Sequence, residues 1–253
     1  MKIDINVDMG ESFGRYSLGD DEALFPYVTS ANIATGFHAG DPNVLDRTIQ
    51  WAKQYGVAVG AHIGLPDRQG FGRRQIDISP AELRADTLYQ LGAMDAFLKI
   101  YGLKMQHVKP HGILYRMVGE QEKYIDAFLD TVEEYDRDLY IMLHSGCEAL
   151  NRAKARGLKI APEALIDLGY DENGNWMLER VKKSRSPEEV AARALGVAKD
   201  GKIDTVSGKR IAIDSCTVCI HGDAPNAADV AKAVRAALEE NGVTPTNLDG
   251  YFA

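Results

Sequence analysis

The chain predicts an α/β fold, a closed (β/α) barrel of seven parallel strands. Three observations predict it. Seven short β-like runs alternate with helix-like stretches, the pattern of a parallel sheet with crossover helices. All six histidines (His38, His62, His107, His111, His144 and His221) fall in, or directly after, those runs. A parallel barrel gathers the carboxyl ends of its strands on one face and builds its active site there. The length of 253 residues also matches the ~250 typical of such a barrel. An open doubly wound sheet satisfies the same periodicity and stands as the alternative.

The β-like runs lie near 2–8, 27–37, 57–63, 105–110, 139–144, 158–162 and 211–221. After the second run, Asp41-Pro42 caps a helix with proline at its first position; Val44, Leu45, Ile49 and Ala52 share a face, and Gly56 stops it. Ser79-Pro80-Ala81-Glu82 is a capping-box pattern, continued by Leu83, Thr87, Leu91, Met94 and Leu98 to Gly102. Weaker helices are expected over 120–136 and 147–156. Ser186-Pro187-Glu188-Glu189 repeats the capping pattern before Val190, Ala194 and Val197, and Val230, Ala233, Val234 and Leu238 line a last helix ended by Asn241-Gly242. The region 170–210 fits no plain βα unit. GYDENGNWMLERV there suggests a turn and a short extra strand, so the chain reads as one barrel domain over 1–253 with an insertion near 170–210.

Hydrophobic residues at 45% and charged residues at 26% are ordinary globular values. A net charge of −8 argues against nucleic-acid or anionic-membrane partners, which favour basic surfaces. No apolar run approaches the ~20 residues of a membrane span, and MKIDINVDMGES opens as a strand without a signal-peptide core, so a cytoplasmic setting is expected. Three cysteines are too few for a disulfide framework. Cys216 and Cys219 have redox or ligand spacing, but three residues along a strand turn side chains to opposite faces, so inert roles are expected.

The strand exits carry the chemistry. Period two places Asp4, Asn6 and Asp8 on one face of the first strand, and Asp8 with Glu11 suits general-base work or a divalent metal. Asp4 and Asn6 equally suit satisfying groups inside the barrel. NIATGFHAGDP places His38 in a glycine-flanked loop, with Asp41 serving as helix cap, catalytic group or both. AHIGLPDRQGFGRRQ follows the third strand with His62 and with Arg73 and Arg74, which could clamp a carboxylate or phosphate or simply be solvated. HVKPHGILY offers Lys109 and His111, and His221-Gly222-Asp223 precedes a helix N-terminus, which favours anions. His107 reads as a core histidine, and His144 fits the same reading. A divalent cation on Asp8, His38 and His62 is expected, with ligands of a kind that suits Zn²⁺, Mn²⁺ or Fe²⁺. GxxxxGK[ST] is absent.

With these segments in hand, the chain resembles the LamB/YcsF family in INVDMGESFG, NIATGFHAGDP, GAHIGLPDRQGFGRR, HVKPHGILY and CIHGD, in family order from residue 3 to 223. The resemblance implies a barrel similar to those of glycoside hydrolases and polysaccharide deacetylases. It also implies ATP-dependent opening of 5-oxo-L-proline to L-glutamate, with ATP handled through partners, the 5-oxoprolinase subunits B and C. It carries over Asp8, Glu11, His38, Asp41, His62, Arg73, Arg74, Lys109, His111, His221 and Asp223 as site residues, with Glu163 and Asp167 as substrate contacts. The chain departs from the pattern at Thr35, at Ile63 and at Leu168, which stands where an arginine is expected. A substrate carboxylate must then be held by another group, such as Arg73 or Arg74, or the substrate differs. Two other readings stay open: a stand-alone metal-dependent amidohydrolase or deacetylase, and a subunit that presents another small cyclic amide to a carboxylase-like complex. A homo-oligomer is compatible with each.

Overall fold

Burial on both faces of its strands is what closes this sheet. In β1 (Lys2–Met9) every residue after Lys2 is buried. Ile3, Ile5, Val7 and Met9 join the core beneath the helices, while Asp4, Asn6 and Asp8 face the lumen and bond to Thr217, Asn32 and Lys109. Such a strand needs hydrogen-bonding neighbours along both edges. In the computed structural model, which describes residues 1–253, β1 pairs in parallel with β2 (Ser30–Ala34) on one edge. The sheet continues through β3 (Ala58–Ile63), β4 (Met105–Pro110), β5 (Tyr140–His144) and β6 (Ile160–Leu165). An antiparallel hairpin of β7 (Lys202–Asp204) and β8 (Arg210–Ala212) stands apart. The barrel resumes at β9 (Thr217–His221), which pairs with β6 on one side and β1 on the other. Seven parallel strands therefore close on themselves, and the open-sheet alternative falls. β10 (Thr244–Pro245) adds a short parallel pairing at the start of β1.

The helices are α1 (Asp21–Leu24), α2 (Pro42–Tyr55), α3 (Pro80–Tyr101), α4 (Gly112–Glu120), α5 (Glu122–Tyr135), α6 (Glu148–Ala155), α7 (Pro187–Leu195), α8 (Ala227–Glu240) and α9 (Leu248–Phe252). The sequence-read caps hold. Asp41 accepts from the amides of Asn43 and Val44, and Gly56 ends α2 in the left-handed region. The Ser79/Glu82 capping box is complete, and Ser186 accepts from Glu189. No helix is long and apolar enough to cross a membrane.

Two expectations change, and one helix is added. The run 211–221 divides, its first residues forming the hairpin strand β8 and its last the barrel strand β9. The helix expected over 120–136 forms as α5, and a further helix, α4, precedes it, set off where Gln121 is extended (φ −96°, ψ 114°) and breaks the ladder between the two. GYDENGNWMLERV makes a tight turn closed by a Tyr170–Trp176 bridge, not a strand of its own.

Beyond that bridge, residues 177–186 form a strap without regular structure. Arg116 donates to the Trp176 carbonyl at 2.9 Å, Arg73 to the Arg180 carbonyl at 2.9 Å, and Asn226 exchanges two hydrogen bonds with the Arg185 backbone. The strap is thus tied at both ends and in the middle, across the carboxyl-end mouth.

Candidate active site

The lumen is polar from bottom to top. Thr217, Thr29 and Ser30 all donate to Asp4, whose carboxyl burial lifts to about 6 against the pull of those hydroxyls. Above it, Asn32 donates to Asn6 and Asp8 and accepts from His107 Nε2 at 2.7 Å. His107 is a core histidine held through Nε2 alone, its Nδ1 buried without a partner, and burial takes its pKa down to about 3. His144, near the β5 exit, also titrates low, at about 4 through burial, and lies apart from the other exit histidines, against Tyr170.

Lys109 is the hinge of the upper layer. Its ammonium lies 3.0 Å from Asp8 Oδ1 and 2.9 Å from Glu163 Oε1, and also within reach of Asn6 Oδ1 and Cys219 Sγ. Burial works against its charge, but Asp8, Cys219 and Glu163 overcome it and raise the pKa well above the usual lysine value. Asp8 is the reciprocal case. Burial alone would raise it, yet His62 and Lys109 hold it well below the usual carboxylate range. Glu11 goes the other way, because burial and the nearby charges of Asp223 and Asp8 push its carboxyl well up. The titrations of two neighbouring carboxyl groups are thus pushed in opposite directions, a pattern that assigns acid and base roles in enzyme sites.

Glu11, His38, His62 and His111 form a buried nest whose ligand atoms all lie within 4.8 Å of one another. Glu11 Oε1 is 3.1 Å from His38 Nε2, 3.4 Å from His111 Nδ1 and 3.9 Å from His62 Nε2. His62 donates its Nδ1–H to the Lys109 carbonyl at 3.0 Å, and His111 its Nε2–H to the Phe71 carbonyl at 2.8 Å. The facing nitrogens, His62 Nε2 and His111 Nδ1, stand 3.0 Å apart. With both outer nitrogens committed as donors, this pair needs a cation, either a proton or a metal ion. Tetrahedral ligands at ~2.0–2.2 Å from an ion sit about 3.3–3.6 Å apart, close to the spacings here. The nest fits a divalent transition metal.

The nest is packed to shape. A Cβ on Gly64 would fall 2.4 Å from His38 Nδ1, and one on Gly72 (φ +61°) would fall 2.7 Å from His111 Cδ2. Phe71, whose carbonyl orients His111, is itself held in the left-handed region at φ 54°. That conformation costs a non-glycine residue about 1–2 kcal/mol, and here it aims the ligand.

Beside the nest opens a small, tightly lined pocket, with about 370 Å³ of empty space counted out to its mouth. Asp8, His62, Arg73, Lys109, His111 and His221 reach it, as the sequence led one to expect. Leu165, Leu168, Trp176 and Leu178 make an apolar wall. His221 donates Nδ1–H to Asp167 at 2.8 Å and turns Nε2 toward Asp8 Oδ2 at 3.9 Å. Burial opposes the Asp167 charge, but His221 and Lys182 hold the carboxyl far below its ordinary value.

Several expected residues stand elsewhere. Asp41, expected to be catalytic, is absent from the pocket. Its carboxylate is used by the amides of Gly14, Asn43 and Val44. Arg74 is half-exposed and spent on Asp67 within its own loop. Glu163, Asp167 and Asp223, expected to touch substrate, do not line the pocket and instead anchor Lys109, His221 and Arg73. The metal-capable nest has Glu11 and His111 where Asp8 was expected; Asp8 groups with Cys219 and His221. All three cysteines are free, and Cys216 packs with Tyr140, Met142 and Leu248. Cys219, expected to be inert, touches the Lys109 ammonium while burial keeps its thiol protonated.

Lys182 and Trp176 were missed. Lys182 lies in the cationic stretch Val181-Lys182-Lys183-Ser184-Arg185, where nothing local separates an inward lysine from a solvated one.

A closed parallel barrel with acid/base and metal-capable residues at its carboxyl-end mouth defines the class. The LamB/YcsF family model matches residues 3–251, and the chain belongs to that family. The A-type component of 5-oxoprolinase from Clostridium beijerinckii is 45% identical over 245 residues, covering 96% of both chains. That of Thermococcus onnurineus is 43% identical over the full length of both. Among solved structures, a lactam utilization protein from Thermus thermophilus superposes with a TM-score of 0.89 at 41% identity, over 97% of this chain and 99% of its own. A family 4 carbohydrate esterase from Streptomyces lividans, at a TM-score of 0.50 and 10% identity over 96% of this chain and 91% of its own, shares the fold alone.

Proposed function

We propose that this chain is the lactam-opening subunit of an ATP-dependent 5-oxoprolinase, converting 5-oxo-L-proline to L-glutamate together with partner subunits of the B and C kind. One observation carries this reading. A single small pocket brings together an ionised carboxylate, an Asp–His dyad and cations at the barrel mouth. Full-length relatives that bear the 5-oxoprolinase name support it.

A five-membered lactam has a resonance-stabilised carbonyl, so opening it needs carbonyl activation, a directed water and a proton for the leaving nitrogen. Asp8, held ionised, takes the proton from water as the new C–O bond forms. His221, oriented by Asp167, delivers a proton to the ring nitrogen as the C–N bond breaks. Lys109 fixes Asp8 from below, and Arg73 supplies positive charge at the rim. A divalent cation held by Glu11, His38, His62 and His111 would polarise the carbonyl and take the place of the proton on Glu11. ATP enters through the partner subunits, and the barrel works as one domain with residues 170–210 as its elaboration.

The purified chain is expected to release no glutamate or ADP from 5-oxo-L-proline and ATP, and to do so once its partner subunits are added. Robust turnover by the chain alone would support the stand-alone hydrolase instead. For the metal, the chain freed of ions with a chelator and titrated with Co²⁺ is expected to bind one equivalent with a visible d–d spectrum. Glu11→Gln and His111→Ala should each weaken that binding by roughly 10- to 100-fold. Stoichiometric binding untouched by both changes would place the ion elsewhere.

A further inference from the structure

The cations that line the pocket are not equivalent. The Lys109 ammonium is consumed by Asp8 and Glu163. The Arg73 guanidinium is shared between Asp223 at 2.8 Å and the Arg180 carbonyl at 2.9 Å. Lys182 differs from both. Only 8% of it is exposed, it lines the pocket, and it makes no ion pair or hydrogen bond with the protein. Its neighbours on the strap face outward, Val181 at 80% exposure and Lys183 exposed as well. The nearby acid that feels its charge, Asp167, is already committed to both the ring and the backbone N–H of His221.

The ammonium faces the pocket without a protein partner, although a lysine stem need not turn inward when solvent is one residue away. The strap is held so that it does turn inward, by Arg73 at Arg180 and by the Arg185–Asn226 exchange. In one pocket with an apolar wall that includes Leu168, such a charge fits an anion carried on a small ring.

We propose that Lys182 recognises the carboxylate of the substrate and that the strap of residues 177–186 is the element that sets preference for a ring acid over a neutral ring. This rests on the lactam reading of the pocket, and it assigns the carboxylate to Lys182 in place of the arginine expected at position 168.

The test uses the full chain and binding alone. Calorimetric titration with cyclopentanecarboxylate and with cyclopentanecarboxamide gives the acid-over-amide preference of wild type, Lys182→Met and Lys182→Arg. Wild type is expected to prefer the acid. Lys182→Met should reduce that preference by at least about tenfold, and Lys182→Arg should restore much of it. Amide binding by Lys182→Met reports that the pocket is still folded. With partner subunits present, Lys182→Met should raise KM for 5-oxo-L-proline far more than it lowers kcat. The proposal is overturned if wild type shows no acid preference, if Lys182→Met keeps it, or if inorganic phosphate binds through Lys182 while ring acids do not. Ring acids binding through Lys182 without any opening of 5-oxo-L-proline would uphold this inference and overturn the lactam reading, so the two failures are distinct.

Discussion

Asp8→Asn is expected to lower kcat/KM of the proposed complex by roughly 10³-fold, the middle of the range for loss of a general base, with little change in stability. The carboxamide keeps the shape of the carboxylate and its place beside Asn32 and Lys109. It removes the one acceptor in the pocket that burial fails to neutralise, because His62 and Lys109 hold the wild-type group ionised. Steady-state kinetics with 5-oxo-L-proline, read beside a thermal melt, checks both halves. A loss smaller than about tenfold with a normal melt would remove Asp8 from the chemistry and leave it as a barrel ion-pair member.

Lys109→Met is expected to cost roughly 3–5 kcal/mol of folding stability, the scale for breaking a buried charge pair from one side. The methionine fills the same stem, so little cavity is made. The cost comes from two carboxylates. Asp8 and Glu163 are both buried, and without the ammonium at 3.0 and 2.9 Å they lose the cation they share. Adding Glu163→Gln should recover part of the loss, because it removes one of the uncompensated charges. Urea unfolding of wild type, Lys109→Met and the double variant measures this coupling directly. A single-variant loss below about 1 kcal/mol would mean that water reaches the lumen and screens the pair.

Position in the chain told most of the fold. Alternating runs gave the strands, and Asp41-Pro42, Ser79-Pro80 and Ser186-Pro187 each opened the helix that their side chains cap. These are local devices, satisfied within a few residues, so they survive without knowledge of the rest. The errors fell where local pattern was not the deciding force. The run 211–221 has the composition of a strand throughout, but only pairing with β7 or with β1 decides which half joins the barrel.

The site divides along the same line. Residue type and strand-exit position brought out Asp8, His38, His62, Lys109, His111 and His221, because a parallel barrel sends every such exit to one face. Their division of labour is a matter of distances that no spacing encodes. Asp41 and Arg74 have the right chemistry and the right loops, but nearby amides and Asp67 consume them first. Lys182 has an unremarkable local sequence, and it enters the pocket because Arg73, 107 residues earlier, pins the strap at Arg180. The chain order fixes which groups are present and on which face of the barrel they gather. Which charges pair and which are left for a ligand is settled by long-range contacts, since a buried charge takes whatever partner the closed barrel puts within about 3 Å of it.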